Sequence, residues 1–336
     1  MHIFNYPQRF LLENGQELNG FQLSYYTWGN PNSSKPVIWV CHALTANANV
    51  AEWWSGIFGE GKLLDPTKYH IICANMLGSC YGSTHALSEN PQSQEPYFYN
   101  FPQLTNRDIV AAFDLLRQHL GIQSIHFALG GSLGGQQLME WAFLQPNLFE
   151  RLFLIATNAK HSAWGIAFNE SQRMAICADG SWGQKNARAG LSGMGAARAM
   201  ALLSYRHYKA YEQTQNETNS NKLSDFKAVT YQQHQAQKLI KRFDAFTYIT
   251  LSMAMDSHHL GRGRESIENA LNSIRAKTLV MGISSDVLFP VSEQRFLAEH
   301  LPNAAYMEIE SDFGHDGFLL EYEAITKACY SHFSDL

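Results

Sequence analysis

"GGSLGGQQLMEWA", residues 130–142, sets one serine between glycines where a short apolar run, "SIHFAL" (124–129), gives way to a helical pattern. A nucleophile at a sharp strand-to-helix turn adopts a strained backbone, and side chains two positions before or after it would collide with neighbouring elements. Gly130 and Gly134 remove those collisions. The stretch therefore predicts a nucleophile elbow with Ser132 at its tip. The same turn aims the N–H of Leu133 and the positive end of the following helix at the place where an oxyanion would form.

Working outward, apolar runs of strand length recur at "FQLSYYTWG" (21–29), "PVIWVC" (36–41), "YHIICANM" (69–76) and "RLFLIAT" (151–157). Such runs read as buried strands. "TNRDIVAAFDLLRQHLG" (105–121) has helical spacing, begins with Thr105 and Asp108 in capping-box register and stops at Gly121. This alternation predicts an α/β fold with a mostly parallel central sheet and helices on both faces. After Thr157 the strand pattern lapses until "KTLVMGI" (277–283) and "AAYMEIE" (304–310). The interval contains helical patterns at 195–211 and 242–258, separated by a polar stretch, "EQTQNETNSNKLSD" (212–225), expected to be a loop. Residues 1–160 and 265–336 are thus expected to form the core, and 161–264 an inserted helical cap.

The chain has 336 residues, 45% of them apolar, which is ample for a core. With 25 Lys and Arg against 30 Asp and Glu, and no long block of either sign, nothing attracts nucleic acid or an anionic membrane surface. A small-molecule substrate is the expectation. Five cysteines without a CxxC pair read as buried free thiols in a reducing compartment. The first residues lack the pattern of a secretion signal, and no stretch approaches 18 uninterrupted apolar residues, so a soluble cytoplasmic protein is expected. HExxH and Walker motifs are missing, and no metal is expected. Adjacent His258 and His259 are expected on different faces of a helix, and "GMGAAR" (193–198) lacks the preceding strand that a dinucleotide fingerprint needs.

A serine hydroxyl is a weak nucleophile without a base, and elbow enzymes supply the acid and the histidine after later strands. "KTLVMGISSDVLFP" delivers Asp286 at the end of one strand, and "AAYMEIESDFGHDGFL" delivers His315 after the next. Ser132, Asp286 and His315 therefore form the candidate triad. The second oxyanion donor should lie in the loop after strand 36–41, where the N–H of Leu44 is the candidate and His42 supports the loop.

"CHALTANANVAEWW", "ICANMLGSCYGST", "GGSLGGQQLMEWA", "RFDAFTYITLSMAMD", "SSDVLFP" and "GHDGFL" together resemble the homoserine O-acetyltransferase family, from about residue 20 to the C-terminus. The resemblance implies an α/β-hydrolase fold and a ping-pong transfer of acetyl from acetyl-CoA to L-homoserine in methionine biosynthesis, with acetyl-CoA as co-substrate and no permanently bound cofactor. It assigns the triad roles to Ser132, Asp286 and His315. It also implies that Asp316 receives the amine of homoserine and Arg206, in "LSYRHY", its carboxylate. A homodimer built through the cap is implied as well. Two departures touch the acceptor pocket: His207 stands where the family has a small hydroxyl residue, and "SWGQKNARAGLSGMG" lacks a proline before its glycine-leucine step. Serine as acceptor, succinyl-CoA as donor, and hydrolysis by the same triad, as in an esterase or thioesterase, are the alternatives, together with a non-catalytic binding protein on this fold.

Overall fold

The computed structural model describes residues 1–29 and 35–334; positions 30–34 and 335–336, within the expected core segments, lie outside the described residues. Strands form at β1 (His2–Leu11), β2 (Glu17–Trp28), β3 (Val37–Cys41), β4 (His70–Ala74), β5 (Phe127–Gly131), β6 (Arg151–Ile155), β7 (Lys277–Ile283) and β8 (Ala304–Ile309). They make one sheet in the order β1-β2-β4-β3-β5-β6-β7-β8, antiparallel where β2 meets β1 and β4, and parallel from β4 to β8.

The inner strands read as unbroken apolar runs because both their faces are covered: all five residues of β4 are buried. Trp39 points to one face, where its ring meets Trp141 edge-on at 5.0 Å. Ile38 and Val40 point to the other, toward Phe127 and Phe153. The helix Asn106–His119 carries the expected capping box, in which Thr105 and Asp108 satisfy each other's backbone N–H. Strand β1 has no expectation behind it. Its register shifts between Tyr6 and Arg9, yet Phe4 and Phe10 keep to one face of the strand and are its only buried residues.

Between β6 and β7 the chain makes the helices Ala163–Cys177, Leu191–Tyr205, Tyr208–Gln215, Lys227–Ile240 and Ala245–Asp256. The single helix expected over 195–211 is interrupted at Arg206, whose backbone is extended (φ −118°, ψ 143°). The His207 ring caps the next helix by accepting from the Lys209 N–H. That helix takes the first four residues of the stretch expected as loop at 212–225. Ala163–Cys177 is largely apolar yet leaves Trp164, Ile166 and Met174 exposed, and Lys227–Ile240 carries little apolar signal. The first buries Gly165, Asn169 and Gln172 beside Ile176, and the second buries Leu239 alone.

Gly193 of the "GMGAAR" stretch lies inside the helix Leu191–Tyr205, and a Cβ there would sit 2.3 Å from the Ala175 carbonyl oxygen. The glycine thus serves a close helix crossing. His258 and His259 follow the end of the helix at Asp256 rather than lying on it, and His258 Nε2 donates to the Asn158 carbonyl at 3.1 Å. No group of His, Cys, Asp or Glu among the described residues could hold a metal ion. Cys41, Cys73 and Cys329 are buried free thiols, whereas Cys80 is half-buried and Cys177 is exposed, contrary to the expectation for all five.

The elbow glycines admit a direct test. A Cβ on Gly134 would lie 2.1 Å from the Cys41 carbonyl oxygen, and one on Gly130 would lie 2.6 Å from the Gly134 carbonyl carbon. Both obstacles are backbone and cannot swing aside. Gly134→Ala should therefore push the helix off β3 and cost about 3 kcal/mol, read as a lower urea midpoint.

Candidate active site

Ser132 follows β5 directly and caps the helix Leu133–Leu144. Its backbone has φ 56° and ψ −126°, a region that L-residues rarely occupy, and the surroundings hold it there. The Ser132 N–H donates to Ile155 at 3.0 Å, and its carbonyl accepts from Thr157 Oγ1 at 2.7 Å. As first residue of the helix, Leu133 has an N–H with no acceptor within that helix, so it is free to face an incoming oxygen.

Asp286 sits in the turn after β7 and accepts three bonds. Oδ1 takes the N–H groups of Leu288 and Phe289, both at 2.9 Å, and Oδ2 takes Nδ1–H of His315 at 2.6 Å. His315 lies in the turn Gly314–Asp316 beyond β8, which is anchored by the Gly314 N–H on Ser285 Oγ at 2.9 Å. Phe289 stacks on the imidazole at 4.9 Å and Phe318 meets it edge-on at 5.2 Å. With Nδ1–H held by a carboxylate, Nε2 carries the lone pair and can accept a proton. Ser132 and His315 line one cavity of about 450 Å³.

Leu44 lines the same cavity from the loop after β3. His42 supports this loop: its Nδ1–H donates to the Ala43 carbonyl at 2.9 Å, and burial lowers its pKa to about 4, so it stays neutral. On the other side, Arg242 donates from Nη1 to the Thr45 carbonyl at 2.6 Å and also to the Tyr81 hydroxyl. The loop is thereby tied to the helical segment.

Asp316 also lines the cavity. Its Oδ2 accepts from Arg206 Nε at 3.0 Å, and the Arg206 guanidinium lies over the Tyr231 ring at 5.2 Å. Arg206 itself is not among the cavity-lining residues; Arg198 is. Arg198 stands two helical turns before Tyr205, another lining residue, and its guanidinium lies 5.7 Å from that ring. The seven-residue interval was the available sequence signal for Arg198, since it places both side chains on one helix face.

Residues 36–322 match the alpha/beta hydrolase fold family. The homoserine O-acetyltransferase of Cyclobacterium marinum is 49% identical over 96% of this chain and 92% of its own length. The chain belongs to the homoserine O-acetyltransferase family. It thus sits among acyltransferases built on the α/β-hydrolase fold. The crystal structure of homoserine O-acetyltransferase from Bacillus anthracis superposes on this family member with a TM-score of 0.90 at 25% identity, covering 98% of this chain and 96% of that one. Esterase E22 superposes with a TM-score of 0.89 at 22% identity, over 98% of both chains, a likeness of fold alone. Among the described residues of the acetyltransferase-family chain, no helix is long and apolar enough to cross a membrane.

Proposed function

We propose that this chain transfers the acetyl group of acetyl-CoA to the side-chain hydroxyl of L-homoserine through an acetyl-serine intermediate, as a step in methionine biosynthesis. What carries the reading, within this family, is one cavity that holds Ser132, His315, a cation (Arg198) and a carboxylate (Asp316). A nucleophile and base suffice for any ester. The paired charges suit a zwitterionic amino acid.

In the proposed first half-reaction, Ser132 Oγ attacks the thioester carbonyl carbon while its proton passes to His315 Nε2. The N–H groups of Leu133 and Leu44 receive the oxyanion. Collapse breaks the C–S bond, and the imidazolium returns its proton to the departing sulfur, releasing free CoA. In the second half, the homoserine hydroxyl loses its proton to His315 and attacks the acetyl-serine carbonyl. Collapse restores Ser132 Oγ–H with the proton from His315 and frees O-acetylhomoserine. Water competes for the same intermediate, so the acceptor must be held in position. We assign segment 161–264 the role of a cap over the core 1–160 and 265–336, which narrows that access.

The acceptor assignment divides between two arginines. Asp316 takes the amine, Arg206 orients Asp316 through its ion pair, and Arg198 takes the carboxylate. This moves the carboxylate role from Arg206, expected from the resemblance, to the arginine that lines the cavity. Arg198→Ala should lower kcat/KM for homoserine roughly 100-fold, the cost of leaving a charged partner unpaired, while the rate of serine acetylation stays unchanged. Arg206→Ala should cost about tenfold, because Asp316 persists but is less well placed. Equal losses in serine acetylation would refute both assignments.

The overall test measures free thiol released from acetyl-CoA with homoserine, with serine and with no acceptor, followed by mass analysis of the product. Homoserine-dependent release yielding O-acetylhomoserine supports the transferase reading. Equal release without acceptor would instead assign a thioesterase, and succinyl-CoA in parallel settles the donor. Acetyl-CoA and homoserine are cytoplasmic metabolites in this reading, so the cytoplasm is the proposed location. The proposed assembly is a homodimer through the cap.

A further inference from the structure

The helix Lys227–Ile240 and the turn after it present Gln235, Lys238, Leu239 and Arg242 to the cavity. These positions are spaced as i, i+3, i+4 and i+7, one helix face. Two of them are cations, and both are exposed. Among the described residues, neither Lys238 nor Arg242 has a carboxylate within ion-pair distance; Arg242 bonds only the neutral oxygens of Thr45 and Tyr81. The carboxylates lining this cavity are Glu52 and Asp316, and Asp316 already has Arg206. The mouth therefore carries excess positive charge in a chain whose formal net charge is −5.

Cations also gather near helix C-termini because the backbone dipole favours them there. That preference is indifferent to helix face. Lys241 shares the helix end and the exposure, but does not line the cavity. The dipole accounts for Lys241 as well as for Lys238, and it does not explain a cationic edge toward Ser132.

We propose that Lys238 and Arg242 form a phosphate-binding edge that holds the anionic nucleotide end of the thioester donor. This rests on the acyl-CoA reading above. The thioester must reach Ser132, which is only 5% exposed at the inner wall, so the phosphates at the opposite end of CoA remain at the mouth. Phosphate oxygens there meet one ammonium and one guanidinium, the two side chains best suited to them. Arg242 also braces the loop carrying Leu44, so donor binding and the proposed oxyanion site share one residue.

The test uses Lys238→Glu, with Lys241→Glu as a control of equal charge change, and acetyl-CoA alongside the phosphate-free donor S-acetylpantetheine. At low salt, Lys238→Glu should reduce the preference for acetyl-CoA over S-acetylpantetheine about fivefold and weaken binding of free CoA by a similar factor; the difference should shrink at 0.5 M salt. Lys241→Glu should change neither by more than about twofold. Equal effects of the two variants, no effect of either, or an equal loss with both donors would overturn the edge. CoA binding that depends on Lys238 without transfer to homoserine would sink the acceptor reading and leave the edge standing. Transfer to homoserine without Lys238 dependence would do the reverse.

Discussion

Ser132→Ala is expected to lower acetyl transfer on the order of 10⁴-fold or more and to abolish the acetyl-enzyme seen by intact-protein mass spectrometry. The substitution removes a single atom from a position held by backbone bonds: the Ser132 N–H on Ile155, and the Ser132 carbonyl on Thr157. Alanine at φ 56° carries much the same strain as serine, so the elbow should persist. Thermal stability should therefore match the parent. Retained transfer, or an acetyl-enzyme that still forms, would mean that another atom attacks the thioester.

Asp286→Asn should reduce turnover on the order of 10⁴-fold, and the reason is a tautomer. Oδ1 already accepts two N–H groups, from Leu288 and Phe289, while Oδ2 accepts Nδ1–H of His315 at 2.6 Å. In asparagine the oxygen keeps the backbone pair and the amide NH₂ faces the ring. Nδ1 must then accept, the proton moves to Nε2, and Nε2 loses the lone pair that takes the Ser132 proton. Binding of CoA and homoserine should remain near the parent's. A loss confined to KM would contradict the role, and a loss of fold would appear as a lower urea midpoint.

Much of this was legible along the chain. Parallel strands covered on both faces must be apolar throughout, so β3, β4, β5, β6 and β7 announce themselves as short runs. The elbow is equally local, because its glycines answer contacts two residues either side of Ser132. Asp286 and His315 follow from chain order at strand ends. Other features had no local signature. Strand β1 leaves Ile3 and Leu11 exposed and buries only Phe4 and Phe10, and the helix Ala163–Cys177 turns polar residues inward. The break at Arg206 gave no warning, since no proline or glycine marks it; it stands out only beside the pairing with Asp316 at 3.0 Å.

Sequence alone determined the fold class, the family resemblance and the identity of the three triad candidates, because backbone sterics, apolar periodicity and strand order are all written within short spans or in chain order. Tertiary structure decided which arginine lines the cavity and which pairs with Asp316, and which cations of one helix face Ser132. Arg198 and Arg206, or Lys238 and Lys241, are alike in type and only a few residues apart. What separates them is the direction each side chain takes once the helices between β6 and β7 pack, and that direction is set by contacts with residues distant in the chain.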